Sequence, residues 1–339
     1  MFFSVIVAVY NGETFLAQCL DSILRNPSGN YELIVIDDGS TDKTGEICDT
    51  YAERYAHVNC YHTKNQGVGN ARQAGLEKAK GEYILFVDGD DLWDESFCLQ
   101  KMEEDFRKNP ADLYVYGFIL RRFSHDGFRD RHFKVEAASF EDWRNNQSLF
   151  LSYFPNGIMF LCWNKAYKKQ CLLENGTVSV HQHMEDFRFV LDFLKGAKKV
   201  VFLSQEPYIY IKRGVPSLST SANQGMLEGY NLCHRLFLSL FDKEYAPQIH
   251  QIMASTYIGT VNRQINSIDR QNNVIAARKI LGDIRHNDLA NLSFFHYPVN
   301  TFGEKVTFYL MRKGFFDTLR QYRRLVSAGR KLISIRGRR

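Results

Sequence analysis

At 339 residues, 45% of them hydrophobic, the chain is long enough for one large core or two ordinary ones. Its seven cysteines, Cys19, Cys48, Cys60, Cys98, Cys162, Cys171 and Cys233, are scattered and odd in number with no Cys-x-x-Cys pair. That pattern fits neither a disulfide framework nor a zinc site, and it suits a reducing cytoplasm. The formal charge is +5, but residues 312–339 carry +9, from ten Lys/Arg against the single Asp317, so residues 1–311 sum to −4 and a nucleic-acid-binding body is excluded.

The apolar start, Met1 to Val7, has no basic leader and breaks at Tyr10-Asn11-Gly12, so it reads as a first strand rather than a signal peptide. Runs rich in β-branched and aromatic residues occupy Phe3 to Val9, Tyr31 to Ile36, Val58 to Tyr61, Tyr83 to Val87 and Leu113 to Leu120. Amphipathic stretches of helical length separate them at Thr14 to Arg25, Thr41 to Tyr55, Gly69 to Lys80 and Glu95 to Lys108. The alternation predicts an α/β fold with a mostly parallel sheet covered by helices, in which ligands bind beyond the carboxyl ends of the strands. From Phe123 to Lys134 the chain is polar and aromatic with weak periodicity, which predicts an excursion over the ligand face. Strand-like runs return at Lys199 to Leu203 and Tyr208 to Ile211, and helical spacing fills Leu227 to Asp242, Ile249 to Ile268 and Asn273 to Ile284. A boundary is expected near residue 225. No window reaches the roughly 18 uninterrupted apolar residues of a spanning helix.

Three strand ends carry polar motifs. Tyr10-Asn11-Gly12 closes the first strand, Asp37-Asp38-Gly39-Ser40-Thr41-Asp42 the second, and Asp88-Gly89-Asp90-Asp91 the fourth. Ser40 or Thr41 can cap the following helix, yet a cap does not explain the two adjacent carboxylates before it. With Asp94, expected to be a helix cap, the third motif gathers four carboxylates in seven residues. Such a cluster repels itself unless a cation is present, and hard ions such as Mg²⁺ or Mn²⁺ take oxygen ligands while leaving positions for phosphates. The glycines of Gln66-Gly67-Val68-Gly69-Asn70-Ala71-Arg72 permit close backbone approach at a helix N-terminus that favours anions. Glu185-Asp186 precedes a further apolar segment. His181 and His183 read as partly buried imidazoles rather than a metal pair.

These motifs, together with the run Ser4 to Asn11, occur in an order and spacing that resembles family 2 glycosyltransferases over residues 3 to 220. The resemblance implies an inverting, metal-dependent enzyme of GT-A fold that builds bacterial surface polysaccharide from a UDP-sugar. It implies a 1–225 catalytic domain, nucleotide-binding to about 120 and acceptor-binding from 121, and a helical 226–339 region. In that pattern Tyr10 covers uracil, Asp38 accepts from it, and Ala8 and Asn11 shape the pocket. Arg72 reaches the nucleotide, Asp88 with Gly89 meets the ribose or the ion, and Asp90 or Asp91 ligates Mg²⁺ or Mn²⁺. Asp186 is the general base, Glu185 orients the acceptor, Trp163 walls the donor site, and Arg213 pairs with the diphosphate.

Residues Phe315, Phe316, Leu319, Tyr322, Leu325 and Val326 follow helical spacing among arginines. A basic amphipathic tail fits an anionic membrane surface, each Lys/Arg near it being worth about 1 kcal/mol, and suits peripheral association with the cytosolic face and a lipid-linked acceptor. The same helical third is compatible with a homodimer interface. Two alternatives remain at this level. One is a nucleotidyltransferase making an activated sugar, although Tyr10-Asn11-Gly12-Glu13 stands where its lysine-bearing phosphate loop is expected. The other is a catalytically silent nucleotide-sugar-binding protein.

Overall fold

The central strands are continuous apolar runs because both of their faces are covered. In the computed structural model, which describes residues 1–27, 29–124, 127–179, 184–213, 226–254 and 256–257 with 309, 318 and 321 as isolated positions, β1 (Phe3–Val9) and β2 (Tyr31–Asp37) are buried at every residue. β1 pairs in parallel with β2 and with β4 (Tyr83–Asp88), and β2 with β3 (Val58–His62). The helices between them are α1 (Leu16–Leu24), α2 (Thr44–Arg54) and α3 (Val68–Lys78). Register places Ala8 beside Asp88, Val9 beside Asp37 and Asp37 beside His62, so the polar motifs share one edge of the sheet.

Beyond β4 come β5 (Leu92–Trp93), α4 (Leu99–Lys108), β6 (Leu113–Ser124), β7 (Gly127–Phe133), β8 (Ala138–Phe140), α5 (Gln147–Leu151), β9 (Lys165–Lys168), α6 (Lys169–Glu174), α7 (Glu185–Leu194) and β10 (Val200–Lys212). The strand order is β3-β2-β1-β4-β9-β6-β10-β5, with β7 on β6 and β8 on β10. The expected α/β sheet is present, mostly parallel in its first half, with β9 inserted antiparallel between β4 and β6.

Four local expectations are corrected. Residues 127–133 are not irregular as expected; they form β7, paired antiparallel to β6. Both faces of this ribbon are solvated, so no apolar alternation marks it, and it is held by the Arg121–Asp130 pair (2.9 and 2.7 Å) and the stacked Phe118 and Phe133 rings. The two runs near residues 199–211 are one strand, whose pairing with β6 shifts between Leu203 and Tyr208, around Pro207, which cannot donate to a ladder. Neither Ser40 nor Thr41 caps α2: Asp42 Oδ1 accepts from Thr44 N–H at 3.0 Å. Asp94 accepts from Ser96 N–H at 3.0 Å in a turn ahead of α4, whose start lies four residues beyond the predicted one.

The chain divides into two compact units, Met1–Val215 and Pro216–Arg339. Residues 214–225, where the boundary was expected, lie outside the described residues. In the second unit α8 (Met226–Leu240) runs within the predicted Leu227 to Asp242 span extended by one residue at its start, and helical residues 246–254 follow. Tyr230 donates its hydroxyl to Met253 O at 2.9 Å there. The helices predicted beyond residue 257 and the basic tail lie outside the described residues, apart from the three isolated positions. Among the described residues no helix is long and apolar enough to cross a membrane.

Candidate active site

At the end of β1, Tyr10 is 49% exposed, a ring left uncovered by the chain, while Ala8 beside it is buried. Asn11 adopts a positive φ of 50° and grips the next motif: its Oδ1 accepts from Thr41 N–H at 2.8 Å, and its own N–H donates to Ser40 Oγ at 2.9 Å. Asp37 and Asp38 of that motif are both buried and hydrogen-bonded to the surrounding scaffold. Asp37 accepts from Ser40 N–H at 3.0 Å and pairs with His62 Nδ1 at 2.9 Å. Asp38 accepts from the N–H groups of Gln66 (3.0 Å) and Gly67 (2.8 Å), and so ties β2 to the glycine turn that opens α3. Gly39 sits at φ +71°, where a Cβ would stand 2.7 Å from Asn65 N.

The second acidic turn is built on close approach. At Gly89 a Cβ would lie 2.8 Å from Val9 Cβ, so only glycine lets β4 leave the sheet against β1. Asp91 is fully buried, with Oδ2 accepting from the Tyr208 hydroxyl and Oδ1 from Ile211 N–H, each at 2.8 Å. Tyr208 also accepts from Asp88 N–H at 3.1 Å, which pins the turn to β10. Burial, reinforced by Asp90 and Asp88, pushes the Asp91 carboxyl well above its usual range. Asp90 keeps a side chain 47% exposed, 3.4 Å from Arg213 Nη1. That contact lacks hydrogen-bond geometry, leaving Nη1 a buried donor without a hydrogen-bond partner, with its guanidinium over the Phe15 ring. Asp88, Asp90 and Asp91 do not converge as three ligand oxygens, because Asp91 is drawn to β10.

Arg72 joins the two halves of the site. Its guanidinium, only 4% exposed, donates to Asp88 Oδ1 and to Asp186 Oδ1, each at 2.6 Å. Burial pulls its pKa down, but Asp186 and Asp88 overcome this and hold it above its ordinary value. Burial raises Asp88 to about 6 against the opposing pull of Arg72. Asp186 lies in the first turn of α7, where an acid complements the helix dipole. Cys162 Sγ donates to Asp186 Oδ1 at 3.2 Å. Glu185, one residue earlier, is raised to about 7, first by burial and then by Asp186.

Trp163 is buried at 3% exposure and stacked on Tyr208 at 4.1 Å, so it buttresses the tyrosine that holds the acidic turn. His181 and His183 lie outside the described residues. Sequence reasoning missed Tyr208 and Cys162 as partners of the acids. Tyr208 lies in a run already singled out, but nothing in the spacing ties it to Asp91; the isolated Cys162 carries no signal at all.

The family model described as Glycosyl transferase family 2 matches residues 4–174. An uncharacterized glycosyltransferase of Escherichia coli (strain K12), YibD, is 43% identical over 299 residues, covering 83% of each chain. The minor teichoic acid biosynthesis protein GgaB of Bacillus subtilis (strain 168) is 44% identical over 212 residues, 61% of this chain and 23% of that protein. The aligned region spans 60% of the length of two other curated relatives. The structure of S. aureus TarS 1-349 in complex with UDP-GlcNAc superposes with a TM-score of 0.65 at 20% identity, covering 97% of this chain and 92% of that one, which shows a shared fold.

Proposed function

Because the chain belongs to glycosyl transferase family 2 and is a glycosyltransferase, we propose that its crevice moves a hexose or N-acetylhexosamine from a UDP-sugar to a hydroxyl of a surface-glycan acceptor with inversion. The single observation that carries this reading is Arg72, which holds Asp88 of the donor side and Asp186 of the acceptor side on one buried guanidinium. Tyr10 offers an uncovered ring for a uracil face. The Nη1 of Arg213, ion-paired with Asp90 but without a hydrogen bond, offers a charge-assisted donor to a diphosphate oxygen. The TarS structure contains UDP-GlcNAc, and GgaB is described by teichoic acid biosynthesis; both favour a nucleotide-sugar donor and a glycan acceptor of the cell surface.

The oxygen-only donor set and the exposure of Asp90 fit a hard divalent ion, which Asp90 and Asp88 would hold, with Asp91 kept for the turn. Such an ion supplies Lewis-acid stabilisation of charge on the leaving phosphate, worth several kcal/mol. In the transfer, the acceptor oxygen forms a bond to the anomeric carbon as the bond to the phosphate oxygen breaks. The electron pair leaves with UDP, and the hydroxyl proton passes to an Asp186 carboxylate oxygen. Arg72 holds that carboxylate in place. A lipid-linked acceptor, delivered at a membrane reached by the basic tail, is the version of this reading that the tail composition favours.

Asp186→Asn is expected to lower kcat by about 10²–10⁴-fold while UDP-sugar affinity changes little. Unchanged turnover removes Asp186 from the reaction. A second reading rests on Glu185, whose carboxyl near 7 is matched to proton transfer at neutral pH. Should Glu185→Gln cost more in kcat than Asp186→Asn, Glu185 is the base.

A further inference from the structure

Away from the crevice acids, the outer edge of the sheet carries donors of a different chemical kind. β3 is an edge strand, and its alternation sets Cys60 and His62 on one face, toward Asp49 of α2. One ligand atom from each of Asp49, Cys60 and His62 lies within 4.8 Å of the other two, and among the described residues no other set of three His, Cys, Asp or Glu side chains does so. His62 Nε2 is 4.0 Å from Cys60 Sγ and 3.1 Å from Asp49 Oδ1. Ligands of a tetrahedral ion with bonds of about 2.0–2.3 Å stand roughly 3.3–3.8 Å apart, so small side-chain rotations bring the three into place.

The other ring nitrogen supplies an independent reason. His62 Nδ1 is 2.9 Å from Oδ2 of Asp37, a carboxylate 5% exposed whose Oδ1 is held by Ser40 N–H. A buried carboxylate on Nδ1 fixes the tautomer that leaves the Nε2 lone pair for a metal, the arrangement of carboxylate–histidine–metal sites. Thiolate, imidazole and carboxylate together suit a borderline cation and not the hard ions that suit Asp90. We propose that Cys60, His62 and Asp49 bind a divalent cation of the zinc class, with water completing the tetrahedron. The ion clamps β3 to α2 and, through Asp37 and Ser40, braces the turn that follows β2. The Cys60 thiol proton and the proton bridging His62 Nε2 and Asp49 leave to solvent, and bonds from all three groups to the ion replace them.

Cobalt(II) titrated into the full chain tests this, because a cysteine ligand produces a thiolate-to-cobalt charge-transfer band and tetrahedral geometry intensifies the visible bands. One equivalent is expected to give both, zinc to displace them, and Asp90→Asn to leave them unchanged. Cys60→Ser is expected to abolish the charge-transfer band with the circular dichroism retained. Should that variant fail to fold, Asp49→Asn, at a side chain 63% exposed, is expected to weaken cobalt binding at least tenfold. Asp37→Asn is expected to weaken it by about 10–100-fold. A wild-type chain without the band, a band that survives Cys60→Ser, or wild-type affinity in Asp49→Asn overturns the site.

Discussion

Two turns of this protein look alike in sequence and are used differently. At the end of β2 the adjacent acids Asp37 and Asp38 are both buried, and both accept from backbone N–H groups, Asp37 within its own turn and Asp38 from the glycine turn before α3. At the end of β4, Asp91 does the same work for β10, but Asp88 faces an arginine and Asp90 stays half in water. The difference lies in the partners. Backbone donors from a crossing loop or strand reach Asp38 and Asp91, and Asp37 is held by Ser40 N–H of its own turn and by His62, whereas arginine side chains reach Asp88 and Asp90. Carboxylates satisfied by backbone amides stabilise the fold; those facing guanidinium groups can exchange a partner for a ligand.

The largest effect that would break this distinction is at Arg72. Arg72→Ala leaves Asp88 and Asp186 unpaired in a buried site and is expected to cost about 3–5 kcal/mol in urea unfolding. A variant as stable as the parent denies that the two carboxylates share a buried cation. Next, Asp91→Asn and Asp90→Asn should separate cleanly. The first disturbs an acceptor of two hydrogen bonds and is expected to lose about 1–3 kcal/mol of stability. The second is expected to leave the melting temperature unchanged while weakening metal-dependent UDP binding. If the two variants exchange phenotypes, the roles are reversed.

Gly89→Ala tests the close approach that carries the turn, with an expected loss of about 1–3 kcal/mol from overpacking against Val9. The smallest effect is at Glu185. Its carboxyl is raised from 4.5 to about 7, so the folded state binds the proton more tightly than the unfolded one. This contribution is fully present below about pH 4.5 and is lost as pH rises through 7. Glu185→Gln is therefore expected to match the parent at pH 4.5 and to be more stable at pH 8, by about 1–2 kcal/mol after allowing for partial exposure. A gain at low pH instead would reverse the sign.

Much of the fold was legible before any coordinates. Five strands and the four helices between them follow from buried apolar runs alternating with amphipathic ones, since a strand covered on both faces must be apolar throughout. β7 was not legible, because a two-sided solvated ribbon has no apolar face to alternate. The residues of the site were legible as motifs, though not their division of labour. Trp163 was expected at the donor wall, and its burial against Tyr208 is a contact that spacing along the chain does not reveal. Arg72 was ordinary as a residue type and decisive as a position.

By itself the sequence determined which strand ends carry acids, where backbone must approach without a Cβ, and which family pattern the motifs fall in. Only the tertiary structure decided which acid meets which partner. The scattered cysteines argued against any zinc site, yet pairing β3 with β2 and covering it with α2 gathers Asp49, Cys60 and His62 with Asp37 behind. The physical reason is common to both cases. A carboxylate, thiol or imidazole takes its role from atoms within hydrogen-bonding or ligating distance, and across strands and helices those neighbours come from parts of the chain that local spacing cannot relate.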